Sequence, residues 1–148
     1  MTPACDPSLA DRLAFHGLDA ALRLELARAL AELRDNLDPI FTGFYAHVTS
    51  VPKLAAMIGA QTPRLVGAQK RHLENLFSGQ FDAAYLQGSR TIGQVHHRIG
   101  LEPSWYIGGY SFVLRRMQEI LVRRHRLRPA IATRRVQAVT AAVMLDMD

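Results

Sequence analysis

The stretch Arg90 to Tyr110, RTIGQVHHRIGLEPSWYIGGY, decides how the chain reads. Ile92, Val95, His96 and Ile99 fall at i, i+3, i+4 and i+7, one face of a helix. Gly100 stops that helix and Pro103 opens the next. A histidine inside an apolar stripe needs partners for its ring nitrogens. His97 lies about 100° further around the helix, outside the stripe, and reads as partly exposed.

The spacing leaves two readings of His96 open. One is a core histidine bonded to a backbone carbonyl. The other is an axial ligand of haem iron: one neutral imidazole nitrogen on the metal, the other N–H held by an acceptor.

Outward from this stretch the chain reads as helix throughout, with no period-2 alternation and no Asn-Gly or Asp-Gly hairpin turn between apolar runs. Ser8 precedes a short segment ended by Gly17. Asp19 caps a longer one carrying Leu22, Leu26, Leu30 and Leu33. Asp38-Pro39 and Thr62-Pro63 each place a cap residue before a first-turn proline, with a short helix over 53–58 between them. Asp82 caps the helix that ends at Gly100, and helices opened by Pro103 and Pro129 complete the chain. Six substantial helices and one or two short ones, with short connections, make an all-α domain over 1–148 with no internal boundary.

Two more faces carry candidates. The helix after Asp38-Pro39 shows Ile40, Phe41, Phe44, Tyr45 and Val48. Tyr45 is either a tyrosine with its oxygen at the surface or a hydrogen-bond donor to a ligand. The helix after Thr62 shows Leu65, Ala68, Gln69, His72, Leu73 and Leu76. Leu65 and Ala68 suit the wall of a small-molecule pocket and suit plain core packing equally well. His72 reads as structural or peripheral.

Composition sets the class. The chain has 148 residues, 49% hydrophobic and 21% charged, enough to bury a core. Its single Cys5, near the terminus, gives no disulfide framework and no CxxC pair. No apolar run approaches the ~20 residues of a membrane span, and the N-terminus does not read as a signal peptide, so a reducing cytoplasm is the expected compartment. There is no Gly-rich phosphate loop, no HExxH and no close carboxylate pair. The net charge is +5. Residues 1–102 are balanced, and the excess lies in 103–148, where eight Arg face Glu119, Asp146 and Asp148.

The quoted stretch resembles the haem-binding core of the globin-coupled sensor family, whose signature runs IGxxHxRIGLxPxWYIG. Ile92-Gly93, His96, Arg98-Ile99-Gly100-Leu101, Pro103 and Trp105-Tyr106-Ile107-Gly108 match it. Phe44-Tyr45 is similar to the family's FY pair on the B helix. QKRHLENLFSG over 69–79 is similar to its E helix, 81–85 to the step into the F helix, and the closing LDMD to part of the H helix. The resemblance covers roughly residues 10–148.

It implies a sensor-globin fold with an extra N-terminal helix and a D helix reduced or absent, packed around haem b. His96 takes the place of the proximal iron ligand, with Val95 and Ile99 beside it. Tyr45 takes that of the distal tyrosine that bonds O2, with Phe44 next to it. Leu65 matches the distal leucine. Ala68 stands where some members have a hydroxyl. Tyr106 matches a proximal-side tyrosine linked to signalling.

The resemblance also implies a module that is not itself an enzyme and binds O2, CO or NO. It would form a homodimer through its G and H helices and signal to a C-terminal output domain outside this chain: a diguanylate cyclase by first choice, otherwise a histidine kinase or a chemotaxis-transducer domain. The rows Tyr106, Tyr110, Leu114, Met117, Leu121 and Val136, Val139, Val143 would serve both the haem side and the partner. The arginines of the last two helices would line the solvated rim of that interface. The competing readings are a stand-alone globin handling O2, nitric oxide or peroxide, and a nucleic-acid-binding helical domain using the Arg-rich region. The resemblance sets nucleic acid and membrane aside as partners.

Overall fold

Side-chain oxygens start three of the helices in the computed structural model, which describes residues 8–148. Ser8 and Asp11 form a reciprocal capping box on α1, Leu9–Phe15. Asp19 accepts from the Leu22 N–H at 2.8 Å to open α2, Ala20–Leu33. Asp82 accepts from the Tyr85 N–H at 3.0 Å to open α6, Ala83–Arg98. Proline opens α4 (Pro52–Ile58), α7 (Pro103–Arg124) and α8 (Pro129–Met147), at positions where a backbone N–H would have no helical partner. The remaining helices are α3, Leu37–Thr49, and α5, Thr62–Phe77. Cys5 lies outside the described residues.

The expected caps at Asp38 and Thr62 are not formed. α2 runs through a 3-10 turn, Arg34–Asn36, directly into α3, and Asp38 and Pro39 sit inside the first turn of α3. Leu33 and Leu37, both fully buried, flank that turn and hold it against the core. Pro39 is tolerated because first-turn N–H groups have no intrahelical acceptor. α5 likewise begins at Thr62, after Gln61, and has no side-chain cap bond.

α2, α7 and α8 pack on one another, and α3 packs on α4, α5 and α7. Leu26, Leu76, Phe77, Met117, Leu121 and Val139 are among the fully buried side chains, each contributing about 1.5–3 kcal/mol of burial. The globin-like all-α expectation holds, with α1 as the extra N-terminal helix and the seven-residue α4 between the B and E positions. No helix among the described residues is long and apolar enough to cross a membrane.

Two expectations about the last helices are corrected. Leu114, Met117, Leu121, Val139 and Val143 are buried within the protomer, so they offer nothing to a partner. The exposed large apolar side chains of this region are Trp105 and Ile107 at the start of α7, and Val122, Leu127 and Met144. Nor are all the arginines at a solvated rim. Arg135 turns inward to Glu25 and to Glu32 (3.0 Å), with His125 on Glu32 at 2.7 Å. Burial alone would raise the Glu32 carboxyl, but His125 and Arg135 hold it below its ordinary range.

One glycine is fixed by its surroundings. Gly79 has φ +75°, and a Cβ there would stand 2.7 Å from the Arg23 carbonyl oxygen. The Arg23 guanidinium in turn donates to the Gly79 carbonyl at 2.6 Å and lies over the Phe81 ring. Gly79→Ala is expected to cost about 2–4 kcal/mol, combining left-handed strain with overpacking against backbone. Urea unfolding checks it: the midpoint should fall while the slope stays unchanged.

Candidate functional site

α6 is the least covered of the long helices. Of its sixteen residues only Tyr85 is buried. Its substantial packing is against α5. Val95 and Ile99, two members of the apolar stripe, are 38% and 44% exposed. Trp105 and Ile107, at the start of α7, are 38% and 56% exposed. An amphipathic helix with its apolar side left open calls for an apolar body to cover it.

His96 stands in this face, half-buried. Its position is fixed by the end of the helix. Gly100, at φ +70°, turns the chain so that the Leu101 N–H donates to the His96 carbonyl (3.0 Å) and the Gly100 N–H to that of His97 (3.1 Å). This is a Schellman ending. It explains why Ile-Gly-Leu follows the histidine.

The ring itself is less supported than expected. Nδ1 is buried with no hydrogen-bond partner. Neither the carbonyl bond of the core-histidine reading nor the acceptor of the ligand reading is formed at that atom. The Tyr106 ring meets the imidazole edge-on instead, centroids 5.0 Å apart at 70°. Burial pushes the His96 pKa down and keeps the ring neutral, the form that ligates metal. His97 is exposed, as its place on the helix predicted.

The other candidates lie on α3 and α5, which pack together. Tyr45 is buried, and burial raises its phenol, with Gln69 beside the hydroxyl partly offsetting this. Tyr45 is therefore a neutral O–H donor at any physiological pH. Phe44 is half-buried and meets the Tyr45 ring edge-on at 4.9 Å. A Cβ at Gly109 would lie 3.1 Å from the Phe44 ring, so this glycine lets α3 and α7 approach closely. Leu65 and Ala68 are half-buried on α5.

The structure thus brings His96 to Tyr106, and Tyr45 to Phe44 and Gln69. No group of three or more His, Cys, Asp or Glu side chains among the described residues could hold a metal ion. A metal on His96 needs its other ligands from a cofactor. A porphyrin suits the open apolar face and the single imidazole, so these residues fit haem.

His72 is not part of this site. It is buried, with Nε2 3.0 Å from the Asp146 carboxylate, which also accepts from the hydroxyls of Tyr85 (2.9 Å) and Tyr110. Sequence reading missed this carboxylate. The available signal was spacing, since Asp146 completes the buried row Val139, Ala142, Val143 on α8.

The Protoglobin family profile matches residues 6–148 of this chain. The chain belongs to the protoglobin family. The resemblance read from residues 90–110 is thereby borne out. This protoglobin is 28% identical over 109 residues to a protein named heme-based aerotactic transducer HemAT, from Halobacterium salinarum. The match takes in 72% of the chain but only 22% of that relative's length. Its fold matches the globin domain of a Geobacter sulfurreducens globin-coupled sensor with a TM-score of 0.86, at 18% identity, over 96% of this chain and 94% of the other.

Proposed function

We propose that this protoglobin is a single haem-based gas-sensing domain that holds haem b through His96 and binds O2 on the side of Tyr45. The observation that carries the reading is the half-buried His96, with an unpartnered Nδ1, set in an apolar α6 face that the protein leaves largely open. When bound, haem supplies an iron with an open position for O2, CO or NO.

The protein's own groups do the rest. His96 offers a neutral nitrogen to the metal, with Val95 and Ile99 presenting apolar surface on either side of it. Leu65 and Ala68 form an apolar wall that limits water. Ala68 has no hydroxyl, which leaves Tyr45 as the distal donor, with Gln69 beside its hydroxyl and Phe44 edge-on to its ring.

The Tyr45 hydroxyl would favour a ligand that gathers negative charge, such as O2, over one that gathers little, such as CO. A charge-assisted bond of this kind contributes roughly 1–3 kcal/mol, about 5- to 150-fold in affinity. Tyr45→Phe should speed O2 dissociation by that factor and CO dissociation much less. Equal effects on the two gases, measured by flash photolysis and stopped flow, would remove Tyr45 from the site. The test of the reading as a whole is the absorption spectrum of the purified protein, reduced, oxygenated and carbonylated. A protein that stays colourless when titrated with haem overturns it.

The reading extends to signalling. The HemAT relative is named an aerotactic transducer, and its sequence is several times longer than the matched region. We assign this domain the sensing part of a cytoplasmic signalling protein. The output is a diguanylate cyclase first and a chemotaxis transducer second. The homodimer face moves from the buried rows to the outer side of α7 and α8. There Val122, Val136 and Met144 line or border two grooves, of about 540 and 340 Å³, that also include Gln137.

A further inference from the structure

We propose that Asp146, near the end of α8, is a positioning residue for His96, acting through Tyr110 and Tyr106. The inference rests on the haem reading for its holo-protein test. Asp146 is 7% exposed and gathers side chains from three helices: His72 of α5, Tyr85 of α6 and Tyr110 of α7. Only the Tyr110 arm leads on to His96. Tyr106 and Tyr110 are four residues apart on α7, so they share a face. Their rings meet edge-on at 5.0 Å and 74°, and Tyr106 meets His96 edge-on at 5.0 Å.

Each step in this line has a physical reason to be rigid. An ionised, buried carboxylate accepts strongly from a phenol and fixes where that ring lies. Edge-to-face aromatic pairs have a preferred geometry, so a shift of one ring moves the next. At the far end, His96 Nδ1 has no hydrogen bond to hold it, so the imidazole plane answers to the Tyr106 edge. Conversely, a change in how His96 is held is passed back to the last turn of α8. The Tyr85 arm is a built-in control. It binds the same carboxylate, but its ring partners are His72 and Phe81.

The test uses the full chain loaded with haem in the ferrous state. Resonance Raman spectroscopy reads the iron–histidine stretching band. Asp146→Asn and Tyr110→Phe should each shift the band from its wild-type position, and Tyr85→Phe should leave it in place. An unmoved band in the first two variants overturns the proposal, as does an equal shift in all three. If Asp146→Asn does not fold, Tyr110→Phe alone decides, since it keeps the ring and loses only the hydroxyl. A wild-type protein that takes up no haem counts against the haem reading and leaves this line still testable. The His96 imidazole resonances of the haem-free protein are then compared by NMR. A shift in Tyr110→Phe but not in Tyr85→Phe supports the coupling, and no shift in either overturns it.

Discussion

His96→Ala is expected to abolish the Soret band of haem-titrated protein while leaving its helical circular dichroism unchanged. The two halves of this expectation have different causes. On the haem reading, retention would depend on one axial nitrogen, and neither neighbouring histidine is placed to supply it. His97 is exposed, about 100° around the helix. His72 is buried on α5 with its Nε2 committed to Asp146. The fold is indifferent because His96 Nδ1 makes no hydrogen bond to lose. Removing a buried, unpaired polar atom is neutral or slightly favourable. Imidazole added to the variant should enter the vacated space and restore part of the band. Full haem content with a wild-type band in His96→Ala would move the ligand elsewhere.

Asp146→Ala is expected to be the most destabilising of the substitutions considered, by about 3–5 kcal/mol, because it strips one buried anion from three partners at once. That is a large part of the total stability of a domain this size. Replacement by Asn should cost less, since the amide oxygen still accepts. Urea unfolding of the three proteins at neutral pH checks the order.

The same residue gives a pH dependence of known sign. Burial alone would raise the Asp146 carboxyl, but the His72 ring and the Tyr110 and Tyr85 hydroxyls outweigh it and hold its pKa below the ordinary value. A depressed carboxylate contributes fully above its unfolded pKa, near pH 4, and loses that contribution as pH falls through the folded value. The stability gap between wild type and Asp146→Asn should therefore be constant from neutral pH down to about 4 and shrink below it. A gap that widens with acid would show that Asp146 does not titrate as the bonded anion.

Most of the fold could be read from residues whose roles are local. Asp19, Asp82, Pro103 and Pro129 mark helix starts because capping depends only on the next few backbone groups. The His96 helix and its Gly100 ending were legible for the same reason. Asp38 misled because a cap needs the chain to leave the helix before it, and the buried Leu33 and Leu37 keep it coiled there. The Leu114, Met117 and Leu121 row showed that α7 has an apolar face, but not whether its own protomer or a partner covers it. The pairing of Arg135 and of Asp146 could not be read locally, because their partners lie 110 and 74 residues away. Spacing could show that Asp146 faces the core, but not which side chains it meets there.

The open face of α6 has a further consequence. A sixteen-residue helix that buries one residue contributes little to holding itself down, so in haem-free protein α6 is expected to open at low cost. A ligand that binds only the closed form draws this equilibrium shut by mass action. Amide hydrogens over 86–98 then exchange at a rate set by cofactor occupancy, and a protease that nicks the opened segment removes empty copies while sparing loaded ones.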